Sequence, residues 1–69
     1  MKNKQERTML AESAIKLLKD GITSENKHKI VEAYEQINGD PNFSWKDLDV
    51  ILMEWEELEN EANQILQNQ

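Results

Sequence analysis

Three heptads of apolar residues in the last third of the chain limit its possible folds more than any other feature. Leu48, Trp55 and Ala62 recur every seven residues, and so do Ile51, Leu58 and Ile65. Such a repeat fills the a and d positions of a helical seam, a period that no strand keeps. Leu52 and Leu66 widen the stripe. The spacing predicts a helix over about 45–66, roughly 33 Å long at 1.5 Å per residue. An apolar face of that length has to be covered by other helices, of this chain or of another.

Two short stretches divide the rest. Asp20-Gly21-Ile22-Thr23-Ser24 and Asn38-Gly39-Asp40-Pro41-Asn42-Phe43-Ser44 each offer a glycine to end one helix in the left-handed conformation and a serine to cap the next. They predict helices over about 4–20 and 24–38. Leu10, Ala11, Ala14, Ile15, Leu17 and Leu18 mark the buried face of the first; Ile30, Ala33, Tyr34 and Ile37, flanked by Val31, mark that of the second. Nothing before Met9 joins the first stripe, so the opening residues are expected to fray. The expected fold is all-α: a single domain spanning 1–69, folded as a small antiparallel bundle of three helices with the third the longest.

Size sharpens the covering problem. A single core in a chain of 69 residues supplies only about 3–5 kcal/mol unless something staples it. There is no cysteine for a disulfide, and one histidine without a thiolate makes a poor zinc site. Self-association is the remaining route, and a homodimer through Leu48, Ile51, Trp55, Leu58, Ala62 and Ile65 is expected. No apolar run is long enough for a signal peptide or a membrane span, so a cytoplasmic location is expected. Seven Lys to one Arg, with seven Asn, is a bias that A+T-rich bacterial or phage genomes produce.

Charge is split along the chain. Residues 1–29 hold seven cations and four acids, a net of +3; residues 30–69 hold one cation and ten acids, a net of −9. This asymmetry suits either an interaction surface or internal neutralisation of the acidic third helix by the basic first one, and the internal use is the preferred reading. Lys2, Lys4, Arg7, Lys16, Lys19, Lys27 and Lys29 could form a basic face for nucleic acid. Against that stand a pI of about 4.6 and an acidic third helix, the only one placed to enter a groove, which phosphates would repel.

Motifs with chemical potential are few. Asp40-Pro-Asn42-Phe-Ser44 opens like a calcium loop, but Trp45 stands where the sharp turn needs Gly and Ile51 where a bidentate Glu belongs. The segment reads instead as a turn followed by Ser44 as a helix cap, with Asp47 completing an imperfect capping box. Glu25-Asn-Lys-His28 has di-iron spacing, yet at 100° per residue it falls opposite Ile30, Tyr34 and Ile37. Glu32-Ala-Tyr-Glu35 and Glu54-Trp-Glu-Glu57 resemble the paired acidic clusters of all-helical nucleoside triphosphate pyrophosphohydrolases. That resemblance implies magnesium held between two helices. Glu57 departs from the Asp of the pattern, and all four carboxylates lie outside the apolar stripes. No cofactor and no enzymatic activity are expected.

The acidic side of the third helix is the better candidate. Asp47, Glu54, Glu57 and Glu61 form one edge, Asp49, Glu56 and Asn63 the other, and Val50 and Met53 lie between them on an otherwise polar face. Trp45 could anchor a partner or, the preferred reading, pack over the open end of the bundle with Phe43. Trp55 is expected in the core. These features resemble a loose class of small, acidic, cysteine-free helical proteins of phages and Firmicutes that inhibit or regulate a protein partner, some by imitating DNA. The resemblance implies a partner with a basic or mixed apolar surface.

Overall fold

The computed structural model describes residues 2–68 and shows three helices: α1 (Lys4–Thr23), α2 (Lys27–Asn38) and α3 (Asp49–Gln67). The all-α bundle expected from the sequence is present, but α1, at 20 residues, slightly exceeds α3 at 19. α1 is the central element; it packs on both others, while α2 and α3 meet sparsely. Thr8 and Val50 share a cleft at one end and Ile22 and Ile65 at the other, so α1 and α3 run parallel, while α2 runs back along α1. Ala11, Ala14, Ile15, Leu18, Ile30, Ala33, Ile37, Leu48, Trp55 and Ala62 form the buried core. Its alanines let the helix axes approach closely.

Against the expectation of fraying, residues 2–7 are tied into the fold. Asn3 caps α1 reciprocally: the Glu6 N–H donates to Asn3 Oδ1 at 2.8 Å, and the Asn3 N–H donates to Glu6 Oε1 at 3.2 Å. Lys2 pairs with Asp40 at 2.7 Å. Arg7, only 8% exposed, donates from Nε to the Lys2 carbonyl at 3.3 Å and from Nη1 to the carbonyls of Ser44 (3.1 Å) and Lys46. The apolar period passes over Arg7 because its burial is satisfied by backbone oxygens rather than by packing alone.

Neither helix junction uses its glycine as expected. No described glycine has positive φ; the left-handed residues are Glu25 (φ 51°) and Asp47 (φ 65°). α1 continues through Gly21 to Thr23 and closes with two bonds around Glu25: Asn26 N–H to Gly21 O at 2.8 Å and Glu25 N–H to Ile22 O at 3.2 Å. This closure places its left-handed residue at position 25, where glycine is the usual occupant. Asn26, not Ser24, then caps α2, accepting from the His28 and Lys29 N–H groups at 3.0 and 3.3 Å. Ser24 instead returns its hydroxyl to the Asp20 carbonyl at 2.7 Å.

Gly21 is kept for proximity. A Cβ there would stand 3.0 Å from both Ile30 Cγ1 and the Ile30 backbone nitrogen. Gly39 ends α2 with ordinary φ, its N–H bonded to Glu35 O at 2.8 Å. Because a non-glycine residue pays roughly 1–2 kcal/mol for the left-handed conformation, Glu25→Gly is expected to stabilise the fold by about 1 kcal/mol. In a domain of this size that raises the melting temperature by roughly 4–8 °C; an unchanged or lower value in a thermal melt contradicts this account of the turn.

α3 begins at Asp49, four residues later than the heptad spacing suggests. Ser44 caps nothing and Asp47 completes no capping box; the N-cap is Leu48, without a side-chain bond. The reason is Arg7. A helix starting at Trp45 would direct the Ser44 and Lys46 carbonyls toward the N–H groups of Leu48 and Val50. Both carbonyls are turned to the guanidinium instead, Leu48 N–H bonds Trp45 O at 2.9 Å, and the chain reverses through left-handed Asp47. The calcium-like stretch is a turn, with the Asn42 N–H donating to Asp40 Oδ1 at 2.8 Å.

Candidate partner-binding surface

α3 divides the heptad stripe unequally. The a positions Leu48, Trp55 and Ala62 are buried, at 4%, 3% and 0% exposure. The d positions Ile51, Leu58 and Ile65 are only half-buried, packed against the core but not closed over by α1. Trp55 meets the Tyr34 ring edge-on at 5.8 Å, and the Tyr34 hydroxyl donates to Asn63 Oδ1 at 3.1 Å, which is how α2 reaches α3. Trp45 packs: it is half-buried, 4.8 Å edge-on from Phe43 and 5.9 Å from Trp55, so the aromatic rings run in one chain from the loop into the core.

The rest of α3 faces outward. Val50 is 81% exposed and Met53 63%, while Asp49, Glu54, Glu56, Glu57 and Glu61 are all exposed. α3 carries six carboxylates and no cation. Glu57 and Glu61 stand one turn apart, as do Glu54 and Glu57, and each like-charged pair costs about 0.2–0.5 kcal/mol. Among the described residues only Glu54 finds a cationic partner, Lys19 Nζ at 2.8 Å on α1. That pair supports the internal reading of the charge split at a single point, and at about half exposure on each side it contributes little. Asp47 lies off the helix, exposed, in the cleft shared with Lys4 and Thr8.

The proposed basic face is dispersed. Arg7 is buried, and Lys2, Lys19 and Lys29 are paired with Asp40, Glu54 and Asp20. His28, Glu32, Glu35 and Glu57 are exposed, and among the described residues no three His, Asp or Glu side chains converge on a point that could hold a cation. No described helix is long and apolar enough to cross a membrane.

One carboxylate is set apart. Glu59, half-buried beside the Tyr34–Trp55 contact, is pushed above its ordinary 4.5 first by burial and then by Glu56, with the Trp55 indole partly opposing. Burial, and then Glu59, raises the Tyr34 hydroxyl. Asp40 moves the other way, held below its ordinary 3.8 first by the Lys2 ammonium and then by the Asn42 N–H, and Lys2 is raised above 10.5 by the same pair. The signs give opposite pH profiles. The Lys2–Asp40 contribution is present between about pH 4 and 10 and is lost as pH falls through the lowered Asp40 value or rises through the raised Lys2 value. Ionised Glu59 is a penalty at neutral pH that disappears in acid. Urea midpoints should therefore show Asp40→Asn less stable than the parent at pH 7, and Glu59→Gln more stable. The Glu59→Gln difference should vanish near pH 3, and the Asp40→Asn difference should shrink only as pH falls through the lowered Asp40 value; a Glu59→Gln advantage that persists near pH 3 contradicts the assignment.

What the sequence did not bring together is the contribution of α1. Thr8, Glu12, Ile15, Lys19 and Ile22 line the seam with α3, in three concavities that follow one another from Leu48 and Val50, past Glu54, to Glu61 and Ile65. Their recurrence every three or four residues along one flank of α1 was the available signal. The chain matches no protein-family model, no curated protein and no solved structure, so the chemistry of this surface carries the functional argument.

Proposed function

We propose that this chain is a non-enzymatic interaction module that binds a protein partner through the acidic outer side of α3 and thereby inhibits or regulates it. The observation that carries the reading is the placing of Val50 and Met53, both mostly exposed, among carboxylates on a helix without a single cation. Solvation alone would be met by mixed charges, which also stabilise a helix through one-turn pairs. This face forgoes that stability, and local departures of this kind gather at functional surfaces. The partner surface that fits is basic with apolar spots, and a DNA-binding cleft is one such surface.

A photo-crosslinking residue at Val50 or Met53 tests this. Capture of a partner is expected from those positions and not from Val31 on α2, with yield falling steeply as salt rises. Adding Glu57→Lys and Glu61→Lys should abolish it. Equal capture from Val31, or capture indifferent to the charge reversal, contradicts the reading. A structural homodimer is the second reading, favoured by the half-covered Ile51, Leu58 and Ile65; it requires the solution mass to double with concentration.

A further inference from the structure

We propose that the furrow between α1 and α3 is the seat of an amphipathic helix of about four turns carried by the partner, lying with a basic edge against α3. The inference rests on the partner-binding reading and specifies how that partner is held. The three concavities along the seam have volumes of about 420, 250 and 320 Å³, running from Thr8 and Val50 to Ile22 and Ile65. From Val50 to Ile65 the helix rises about 22 Å, the length of a 15-residue helix.

The floor is apolar toward the Val50 end and more polar toward Ile65, where Glu25, Gln64 and Asn68 join it. Ile15 lies deepest, and the half-buried Ile51, Ile22 and Ile65 sit where a further helix would complete their cover. Two parallel helices in contact leave between them a groove that a third can fill, which is how bundles grow from hairpins. The recognition mode is a helix laid in a groove with apolar anchors at i, i+3 or i+4, and i+7.

Charge fixes the occupant and its orientation. The α3 rim presents Asp49 and Glu61, with Glu54 between them tied across the seam to Lys19 at 2.8 Å, a pair the occupant has to open. The α1 rim is mixed, with Lys4 and Lys16 set against Glu12 and Glu25, while Lys19 is already bound to Glu54. An occupant therefore needs cations along its α3-facing edge and no net charge along the other. A second copy of the chain brings a net charge of −6 to a surface of the same sign, and its own α3 stripe is flanked by acids. Nucleic acid is repelled by the same rim.

The test uses the full chain labelled with nitrogen-15 and a 16-residue helical peptide of Leu, Ala and Lys, its leucines on one stripe and its lysines on one flank. Two control peptides are the scrambled sequence and the version with Glu in place of Lys. Amide shifts are expected along the furrow, at Thr8, Lys19, Ile22, Val50 and Ile65, and binding at least tenfold weaker for both controls. Glu54→Lys with Glu61→Lys, both at exposed positions, should weaken binding at least tenfold while the unbound spectrum stays folded.

Shifts confined to Met53, Glu56 and Glu57 overturn the furrow and leave the partner-binding reading standing. Equal binding of the scrambled peptide reduces the effect to bulk charge attraction and overturns the inference, as does an absence of shifts at millimolar peptide. Furrow shifts that track protein concentration without peptide, with a doubled solution mass, give the seat to a second copy and overturn it too.

Discussion

Replacing Arg7 with methionine is expected to cost about 2–3 kcal/mol and to lower the melting temperature by roughly 10–20 °C. Methionine keeps much of the stem's packing, so the loss isolates the guanidinium. That group draws in the carbonyls of Lys2, Ser44 and Lys46, two of them from the loop between α2 and α3. Hydrogen bonds from a charged donor are the stronger kind, and the carbonyls left behind are only partly reached by water. Arg7→Lys should recover little, because a single ammonium cannot span oxygens on both sides of Trp45. The spectroscopic consequence is specific: Trp45 lies between the two held carbonyls, so its emission should shift to the red while far-ultraviolet helicity survives. A variant that melts within about 3 °C of the parent, less than 1 kcal/mol is worth in a domain this small, contradicts the role given to Arg7 if tryptophan emission is also unchanged.

Gly21→Val should cost about 2–3 kcal/mol, in the range of overpacked cores, although valine is a better helix residue than glycine. The added Cβ meets the Ile30 backbone nitrogen at 3.0 Å and Lys29 Cβ at 3.1 Å. A flexible side chain could yield, but the first turn of α2 cannot move without breaking the Asn26 cap. Its two branches then press on Ile30, one of the largest fully buried side chains. Gly21→Ala is the informative contrast. Roughly 1 kcal/mol of gained helix propensity is set there against a contact a few tenths of an ångström too close, and the net change should lie near zero. Hydrogen exchange in the first turn of α2 reads the difference, with faster exchange expected for valine than for alanine. Valine as stable as the parent would mean that the hairpin is looser than the structure indicates.

These two residues also mark where sequence legibility ends. Periodicity located the core because apolar burial is the dominant driving force of folding and repeats with the helix: Leu18, Ile30, Trp55 and Ala62 are all buried. It failed at the ends of the helices, where single residues have competing uses. Glycine suits both a left-handed cap and a close approach, and at position 21 the approach between helices prevails, leaving the left-handed position to Glu25. Ser44 and Asp47 match a capping box, but a box needs a helical turn to cap, and Arg7, a contact distant in sequence, takes the Ser44 and Lys46 carbonyls that this turn would use. Asn3 with Glu6 was the readable cap, hidden because no apolar residue follows within its first turn. On the surface, the acidic run and the Val50–Met53 pair were legible from α3 alone. The furrow was not, since half of it comes from α1 and its depth depends on how far apart two parallel helices settle.

The most direct test of the central claim is a paired measurement on Glu57→Lys with Glu61→Lys: thermal stability of the isolated chain, and crosslinking from Val50. Reversal leaves positions 57 and 61 like-charged but turns the repulsion between positions 54 and 57 into attraction, so the variant should hold or gain up to about 1 kcal/mol. Capture of the partner should disappear in the same variant. Stability retained or raised with binding lost is the predicted result, because it separates the two uses of the face. Capture persisting at full yield in a folded variant would contradict the claim and return these acids to the role of a solvated surface.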